Sequence, residues 1–417
     1  MQSPKECQFD NGVTLRLAPR LGTEAVTVMV VSRAGSMYES QSEAGIAHFL
    51  EHSVFKGTAK RDSAFAIARE LDALGANYNA YTSHEYTAYV ATVRKDHLRQ
   101  ALDMLSDIYA NASLPEQELE REKGVVIEEI KMYADEPQSV AYERHLMQAL
   151  GDTPAGRPII GSIETVRALT LNQVAAFRDR WYTGHNTMVA IAGAVEGAVA
   201  EALVAEYFSD LPPGEKVSPP AMPHSSAAQV AVLHRPSDQA HTVMSVSGPG
   251  WNHADRPASR LLAKLLGGTM SSRLFQKIRE DLGVAYYVGA DTIARSNHGR
   301  FILYTGTDVA RTAEALGAIR TVVAGLLTAP ITTEELERAR ESMLGSMALG
   351  FESSAAIARF LANDWLRGLG LRTQDDLEHE LRAVAQEDLH RYAQSLQQES
   401  WHITTVGPDT LQASDLT

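Results

Sequence analysis

Two histidines four residues apart, His48 and His52, enclose a glutamate, Glu51, in the segment His-Phe-Leu-Glu-His. On an α-helix this spacing places both imidazoles on one face, within reach of a single metal ion. Imidazole nitrogen together with carboxylate oxygen suits zinc, and a catalytic zinc needs three protein ligands and an open fourth position. The segment therefore predicts two metal ligands and one base, Glu51, and a third ligand must come from elsewhere in the chain.

The residues around the histidines predict the helix that must hold them. Apolar side chains recur there at helical spacing, at Ala44, Ala47, Leu50, Val54 and Phe55. Such a stripe is typical of a helix that packs against a protein core. A histidine pair on a packed helix needs a polar partner, because a buried polar group without one is costly.

That partner is expected on a second helix over residues 119–133, which follows Pro115 and so has a proline near its first turn. Glu122 and Glu129 are seven residues apart and share one face of this helix, at the edge of an apolar stripe. A metal and its supporting contacts would satisfy both carboxylates. Spacing favours Glu129 as the third ligand but leaves Glu128 open as an alternative.

Composition narrows the class of protein. The chain has 417 residues, 44% of them hydrophobic, which is enough for two or more domains. Its net charge of −14 argues against nucleic acid or an anionic membrane surface as a partner. Cys7 is the only cysteine, so the chain forms no internal disulfide and a cysteine-rich zinc site is excluded.

A proline-rich segment over residues 211–225 predicts a linker between an N-terminal domain, 1–210, and a C-terminal domain, 226–417. The two parts resemble each other. Residues 27–35 correspond to residues 242–250 at an offset of 215, which predicts a duplicated domain.

The repeat also predicts where the metal site is missing. At the offset of 215, residues 48–52 fall on residues 263–267, which form helix readily but carry no metal ligand. Strands are predicted over residues 12–17, 26–32 and 86–93, among runs of helix. We therefore predict an α+β fold of two related domains, each a mostly antiparallel sheet packed with helices, with the metal site in the first.

A hairpin is predicted between the two metal-site helices, over residues 75–89, which are rich in β-branched and aromatic residues. If its first strand lies at the edge of a sheet, its unpaired amides and carbonyls can pair with an extended peptide. An ordinary hairpin with no binding role is the alternative that the residues alone favour.

These motifs resemble those of the pitrilysin or insulinase-type zinc metallopeptidases. That family has His-x-x-Glu-His followed by Glu-Arg/Lys-x-Val-Val-x-x-Glu, and the segment from Glu122 to Glu129 matches the second pattern, ending 77 residues after His52. The resemblance implies that His48, His52 and Glu129 bind one zinc ion per chain. It implies that Glu51 is the general base and that Glu122 is a supporting carboxylate near the site.

The resemblance extends to a second signature, an arginine followed seven residues later by a tyrosine, which Arg279 and Tyr286 match. Such a pair can hold a peptide and donate hydrogen bonds to the oxyanion formed on the attacked carbonyl. Tyr287 is the neighbour that could be mistaken for Tyr286. In the family the strand before the second metal helix binds substrate, and the matching positions are Asn79, Ala80, Tyr81 and Thr82.

The function implied by the resemblance is a zinc-dependent endopeptidase that hydrolyses short or unfolded peptides inside a clamshell chamber. Two-domain members of the family complete this chamber with a second chain, so a homodimer or a heterodimer with a related subunit is expected. The alternative is a non-catalytic or partner-dependent subunit that serves as a peptide-binding or assembly scaffold. The sequence shows no signal peptide and no membrane-spanning stretch, so a cytoplasmic location is expected.

Overall fold

The computed structural model describes residues 3–20, 22–218, 220, 228–408 and 412–413. The chain divides into two compact units. The first comprises Met1–Ile130, Arg157–Pro220 and Ala348–Gln374, and the second comprises Lys131–Gly156, Ala221–Met347 and Asp375–Thr417.

The first unit is built on a six-stranded sheet with the strand order β1-β2-β6-β3-β5-β4. Neighbouring strands are antiparallel except for the parallel pair β2 and β6. The strands are β1 Lys5–Gln8, β2 Thr14–Pro19, β3 Ala25–Ser32, β4 Asn77–Thr82, β5 Thr87–Arg94 and β6 Thr187–Gly193. The three strands predicted from the sequence are confirmed as β2, β3 and β5, and β4 lies at the open edge.

The second unit repeats this arrangement in a five-stranded sheet with the order β7-β11-β8-β10-β9. Its strands are β7 Val230–His234, β8 Gln239–Gly248, β9 Ala285–Ala294, β10 Gly299–Asp308 and β11 His402–Gly407. The parallel pair β7 and β11 takes the place of β2 and β6, and β9 is the edge strand that corresponds to β4. The shared strand order agrees with the predicted duplication and the predicted α+β class.

Helices cover both sheets. They are α1 Ile46–Ser53, α2 Ala64–Ala73, α3 Leu98–Asn111, α4 Glu116–Ala134, α5 Pro137–Leu150, α6 Ile163–Ala168, α7 Leu171–Trp181, α8 Gly197–Phe208, α9 Arg256–Gly267, α10 Thr312–Thr328, α11 Thr333–Gly350, α12 Ser354–Leu366, α13 Gln374–Arg382 and α14 Gln386–Gln398. The two helices predicted to carry the metal ligands are confirmed as α1 and α4. Helix α9 covers the residues that the repeat aligns with α1.

The core of the first unit lies between its sheet and helices α1, α3, α7 and α8. Phe49 and Leu50 of α1 are fully buried there, which fixes the helix and turns its histidine face toward α4. Successive side chains of a strand point to opposite faces of the sheet. Every second side chain of the central strands can therefore pack against these helices.

One helix in each unit comes from the other half of the chain. Helix α12 packs on β2, β3 and β6 of the first sheet, and α5 packs on β8 and β11 of the second. Chain order alone does not reveal this exchange, and the predicted division into residues 1–210 and 226–417 stays a prediction.

The described part of the predicted linker follows the surface of the first unit. Gly184 and His185 donate backbone hydrogen bonds to Pro212 and Pro213, and the N–H of Val217 donates to the Asn186 side chain. Pro219 and residues 221–225 of the predicted linker lie outside the described residues.

Within the described part of the chain, no single helix is both long enough and apolar enough to cross a membrane. The segments Val309–Thr328 and Thr333–Gly350 meet the length and composition test only when they are joined, and they bend by 116° at the break between them.

An arginine of β2 anchors α12 to the first sheet. Arg16 is only 3% exposed, and its guanidinium donates to the carbonyl oxygens of Leu361 (3.2 Å) and Leu369 (2.6 Å). It also pairs with the Glu6 carboxylate at 2.6 Å. Removing this side chain would take away the guanidinium hydrogen bonds to both carbonyl oxygens and the ion pair with Glu6, and the loss of such bonds by buried groups is costly.

We predict that Arg16→Leu lowers the free energy of unfolding by roughly 2–4 kcal/mol, because a buried, multiply bonded charge is lost. Arg94→Leu is the control, since Arg94 is 62% exposed in its pair with Asp96 and should contribute no more than about 0.5 kcal/mol. Urea unfolding followed by circular dichroism measures both variants. Equal stability of the two would contradict the anchoring role of Arg16.

Candidate metal centre

Helix α1 begins at a backbone turn that requires glycine. Gly45 has φ +96°, and a Cβ atom there would lie 2.7 Å from the carbonyl oxygen of Ile160. The buried carboxylate of Glu39 accepts hydrogen bonds from the N–H groups of Gly45 (2.8 Å) and Ala47 (2.9 Å). These bonds satisfy amides that a helix leaves unpaired at its first turn, so Glu39 fixes the start of the helix that carries both histidines.

The environment of Glu39 is apolar enough to affect its protonation. Burial raises the pKa of the Glu39 carboxyl to about 8, although the backbone hydrogen bonds from Ala47 and Gly45 act in the opposite direction. The Glu39 carboxyl therefore titrates near neutral pH, and the two residues whose N–H groups it accepts, Gly45 and Ala47, come just before the first histidine.

Three donor atoms converge between α1 and α4. Nε2 of His48 and Nε2 of His52 lie 3.8 Å and 3.6 Å from Oε2 of Glu129. These separations are too long for hydrogen bonds. They approach the spacing of about 3.3 Å that two ligands have when each is about 2.05 Å from a tetrahedral zinc ion.

Among the residues that the structure describes, His48, His52 and Glu129 form the one group of three candidate ligands, with their ligand atoms all within 4.8 Å of each other. Glu128 is exposed and does not belong to this group. The structure thus favours Glu129 in the choice that spacing had left open, and the donor set of two imidazoles and one carboxylate fits zinc.

The two imidazoles differ in their surroundings. Burial, followed by the neighbouring His52, lowers the pKa of His48 to about 3, so this ring is neutral and has a lone pair to offer a metal. Nδ1 of His48 is buried, and no residue in the described part of the chain forms a hydrogen bond with it. Burial alone would lower the pKa of His52 too, but the hydrogen bond to Glu122 and the nearby carboxylates raise it.

Glu122 orients His52. Its Oε1 lies 2.8 Å from Nδ1 of His52, and its Oε2 lies 2.5 Å from Nζ of Lys56. A carboxylate at Nδ1 keeps the ring proton on that nitrogen and leaves the Nε2 lone pair free for a metal. Burial raises the pKa of Glu122, but the contacts with His52 and Lys56 outweigh it and lower the pKa overall.

Glu51 lies on the same helix turn as the ligands and is only 8% exposed. Its Oε2 accepts a hydrogen bond of 2.7 Å from the hydroxyl of Thr82, the last residue of β4. Burial raises the pKa of Glu51, and the hydrogen bond from Thr82 opposes this shift. A carboxylate whose pKa is raised is a stronger base than a free glutamate, which suits it to take a proton in catalysis.

Sequence reasoning missed Lys56 and the contact that Thr82 makes. Lys56 is four residues after His52, so helical spacing was a usable signal for its place beside the site. The contact of Thr82 with Glu51 joins residues 31 positions apart, and no local spacing indicates it.

The predicted substrate strand, β4, is an edge strand, and the backbone N–H of Ala80 donates to Oδ1 of Asn79 at 2.9 Å in an exposed position. Tyr81 is half-buried with its ring edge against Tyr86. The substrate-binding roles of Asn79, Ala80, Tyr81 and Thr82 stay predictions.

Arg279 and Tyr286 lie in the second unit. Arg279 is exposed on a π-helical turn, Phe275–Asp281, with its guanidinium 5.1 Å from the Phe275 ring centroid. Tyr286 occupies a bulge in β9, where the pairing with β10 shifts, and it is 58% exposed. Tyr287, by contrast, contacts Nδ1 of His241 through its hydroxyl at 2.8 Å. The tyrosine that projects into solvent is thus Tyr286.

Two protein-family profiles match successive parts of the chain. Residues 17–163 match the profile of the insulinase family, peptidase family M16, and residues 168–343 match that of the peptidase M16 inactive domain. The three candidate ligands lie in the first of these regions. The chain belongs to peptidase family M16, and the resemblance to the pitrilysin and insulinase family is confirmed.

Relatives match over nearly the whole chain. An uncharacterized zinc protease of Bacillus subtilis, YmxG, is 32% identical over 403 residues, covering 96% of this chain and 97% of that protein. An uncharacterized zinc protease of Mycobacterium leprae is 34% identical over 386 residues, covering 90% and 85%.

Solved structures share the fold. A protease from Helicobacter pylori has a TM-score of 0.92 at 24% identity and covers 98% of this chain and 100% of its own. A peptidase M16 inactive domain from Pseudomonas fluorescens has a TM-score of 0.91 at 21% identity and covers 98% of each chain.

We predict that Glu122→Gln weakens zinc binding roughly 10- to 100-fold, because it removes the charge that orients His52. The matched control is Glu120→Gln on the same helix, where the carboxylate is 64% exposed and pairs with Lys123. Competition against a chromophoric chelator measures zinc affinity in both variants. Unchanged affinity in Glu122→Gln would contradict the supporting role of this carboxylate.

Proposed function

We propose that this protein is a zinc-dependent endopeptidase that hydrolyses short or unfolded peptides. The observation that carries the proposal is the convergence of His48, His52 and Glu129 on one point beside the buried carboxylate of Glu51. Membership of a peptidase family, with relatives named zinc proteases, supports the same reaction.

Bound at this centre, zinc would supply a Lewis acid that polarises the scissile carbonyl and makes a water molecule easier to deprotonate. Glu51 then acts as the general base, taking a proton from the attacking water and returning it to the departing amine. Its burial among the two histidines and β4 excludes bulk water from the carboxyl group, which strengthens each electrostatic interaction there.

The edge strand β4 supplies the means to hold an extended peptide. Because Oδ1 of Asn79 accepts from the N–H of Ala80, a substrate carbonyl can replace this amide oxygen when a peptide pairs with the strand. Backbone pairing favours extended chains of varied sequence, and a folded protein presents few such segments. Asn79, Ala80 and Tyr81 are the residues we assign to this contact.

Arg279 and Tyr286 are proposed to hold the peptide and to donate hydrogen bonds to the oxyanion of the tetrahedral intermediate. Both side chains are exposed in the second unit and can therefore meet a substrate. Arginine and tyrosine are suited to this role because each offers an N–H or O–H donor to a developing negative charge.

We expect Glu51→Gln to retain zinc and lose hydrolysis by roughly 10²- to 10⁴-fold, because the amide keeps the shape of the carboxylate but cannot take the proton. Cleavage of an internally quenched library of unstructured peptides is measured beside zinc content. Glu128→Gln, an exposed position next to a ligand, is the control and should keep its activity.

The same assay separates the alternatives. Zinc bound without hydrolysis in the unmodified protein would favour a scaffold or a subunit that needs a different partner. Absence of zinc would contradict the assigned ligands, and full activity of Glu51→Gln would contradict the base.

A second chain is proposed to complete the active chamber, as a homodimer or as a heterodimer with a related subunit. In a homodimer each site would combine the zinc-binding half of one chain with Arg279 and Tyr286 of the other. Self-complementary association of this kind is the commonest form of protein oligomer.

We predict that mixing two separately inactive variants, Glu51→Gln and Tyr286→Phe, restores part of the peptidase activity, because a mixed dimer contains one site with both residues intact. Light scattering gives the mass of each species. A strictly monomeric, fully active protein would contradict the dimer, and a dimer without recovery on mixing would place both residues of a site in one chain.

A further inference from the structure

The hydroxyl of Thr82 connects the edge strand to the catalytic carboxylate. Thr82 ends β4, and its Oγ1 lies 2.7 Å from Oε2 of Glu51 on α1. At this distance, a hydroxyl that donates to a carboxylate forms a charge-assisted hydrogen bond, which is stronger than one between neutral groups.

The direction of this hydrogen bond follows from its neighbours. The Thr82 hydroxyl has one hydrogen, and a carboxylate can only accept it. A second hydroxyl, that of Thr87 on β5, is 3.3 Å from Thr82 Oγ1, but Thr87 donates its own hydrogen to the carbonyl oxygen of Ala34 at 2.7 Å. The Thr87 oxygen could therefore only accept the Thr82 hydrogen, but the charged Glu51 oxygen is closer, at 2.7 Å against 3.3 Å, so the hydrogen is donated to Glu51.

The carboxylate needs such a restraint. Glu51 has three rotatable side-chain bonds, and its two oxygens must present a fixed edge to the reacting water for efficient proton transfer. The imidazoles of His48 and His52 on the same helix are assigned to the metal in the proposed function. Among the described hydrogen bonds, the one from Thr82 is the side-chain contact that fixes the orientation of Glu51.

We propose that Thr82 is a positioning residue for the general base and not a residue that binds the peptide. The inference rests on the proposed peptidase function and gives Thr82 a different role from its neighbours Asn79 and Ala80. Its side chain turns toward α1, while the contact between Asn79 and Ala80 lies on the exposed part of the same strand.

Peptide binding to β4 is thereby coupled to catalysis by Glu51. A peptide that pairs with β4 restrains the strand whose last residue holds Glu51. Correct pairing thereby keeps the base in its reactive orientation, whereas a poorly paired peptide leaves the strand and the carboxylate less well fixed. Substrate selection then shows in the rate of the chemical step as well as in affinity.

The test compares Thr82→Val, which keeps the shape but lacks the hydroxyl, with Thr82→Ser, which keeps the hydroxyl. We expect kcat to fall roughly 10- to 100-fold in Thr82→Val, the usual effect of removing a group that orients a catalytic side chain, and to be largely retained in Thr82→Ser. KM should be unchanged in both. The matched control is Thr92→Val, which removes a hydroxyl bonded to Thr27 on the neighbouring strand and leaves Glu51 untouched.

Two further measurements do not depend on turnover. Zinc content and melting temperature of the variants report whether the site and the fold are intact. Binding of a fluorescein-labelled peptide from the cleaved library to the metal-free proteins reports whether the strand still holds peptide. Unchanged peptide affinity together with reduced kcat is the result that the positioning role requires.

Other outcomes would overturn the inference. Weaker peptide binding with unchanged kcat in Thr82→Val would make Thr82 a substrate-binding residue. Equal activity of Thr82→Val and the unmodified protein would remove any role for the hydroxyl. An inactive unmodified protein would instead contradict the proposed peptidase function, so the two failures are distinguishable.

Discussion

The pairing of two imidazoles on α1 with two carboxylates on α4 is the constraint around which the first unit is arranged. Glu122 is 5% exposed, and the charge of such a group is expensive to bury without partners. His52 and Lys56 supply those partners for Glu122, whereas Glu129 is left facing both Nε2 atoms at distances suited to a shared metal. One helix pair thus provides both the candidate ligands and the carboxylate that orients one of them.

The surrounding structure fixes the two ends of α1. At its start, Glu39 accepts two backbone hydrogen bonds, and Gly45 adopts a conformation that a side chain would not permit. Beyond its end, the buried guanidinium of Arg61 pairs with Glu70, Asp103 and Asp107 at 2.6–2.8 Å. The contacts of Glu39 thus hold the start of α1, and those of Arg61 hold the segment that follows the helix. A metal centre tolerates little displacement of its ligands.

The second unit has the same strand order as the first but lacks the candidate metal ligands. Its sheet repeats the strand order and its helix α9 covers the residues aligned with α1, but residues 263–267 offer no ligand. What the unit displays instead is an exposed tyrosine on a strand bulge and an exposed arginine on a π-helical turn. After duplication, one unit carries the candidate metal ligands while its copy is free to carry other groups.

The sequence by itself predicted the two helices that carry the candidate ligands, the main strands of the first sheet and the repeat, because each follows from spacing along a helix or strand. It left Glu128 open beside Glu129, since adjacent residues of a helix differ by a rotation that only packing against α1 resolves. Tertiary structure alone decided the contacts of Thr82 with Glu51 and of Glu39 with α1, and the exchange of α5 and α12. These join residues distant in the chain, and their geometry depends on how the elements pack, which local periodicity does not encode.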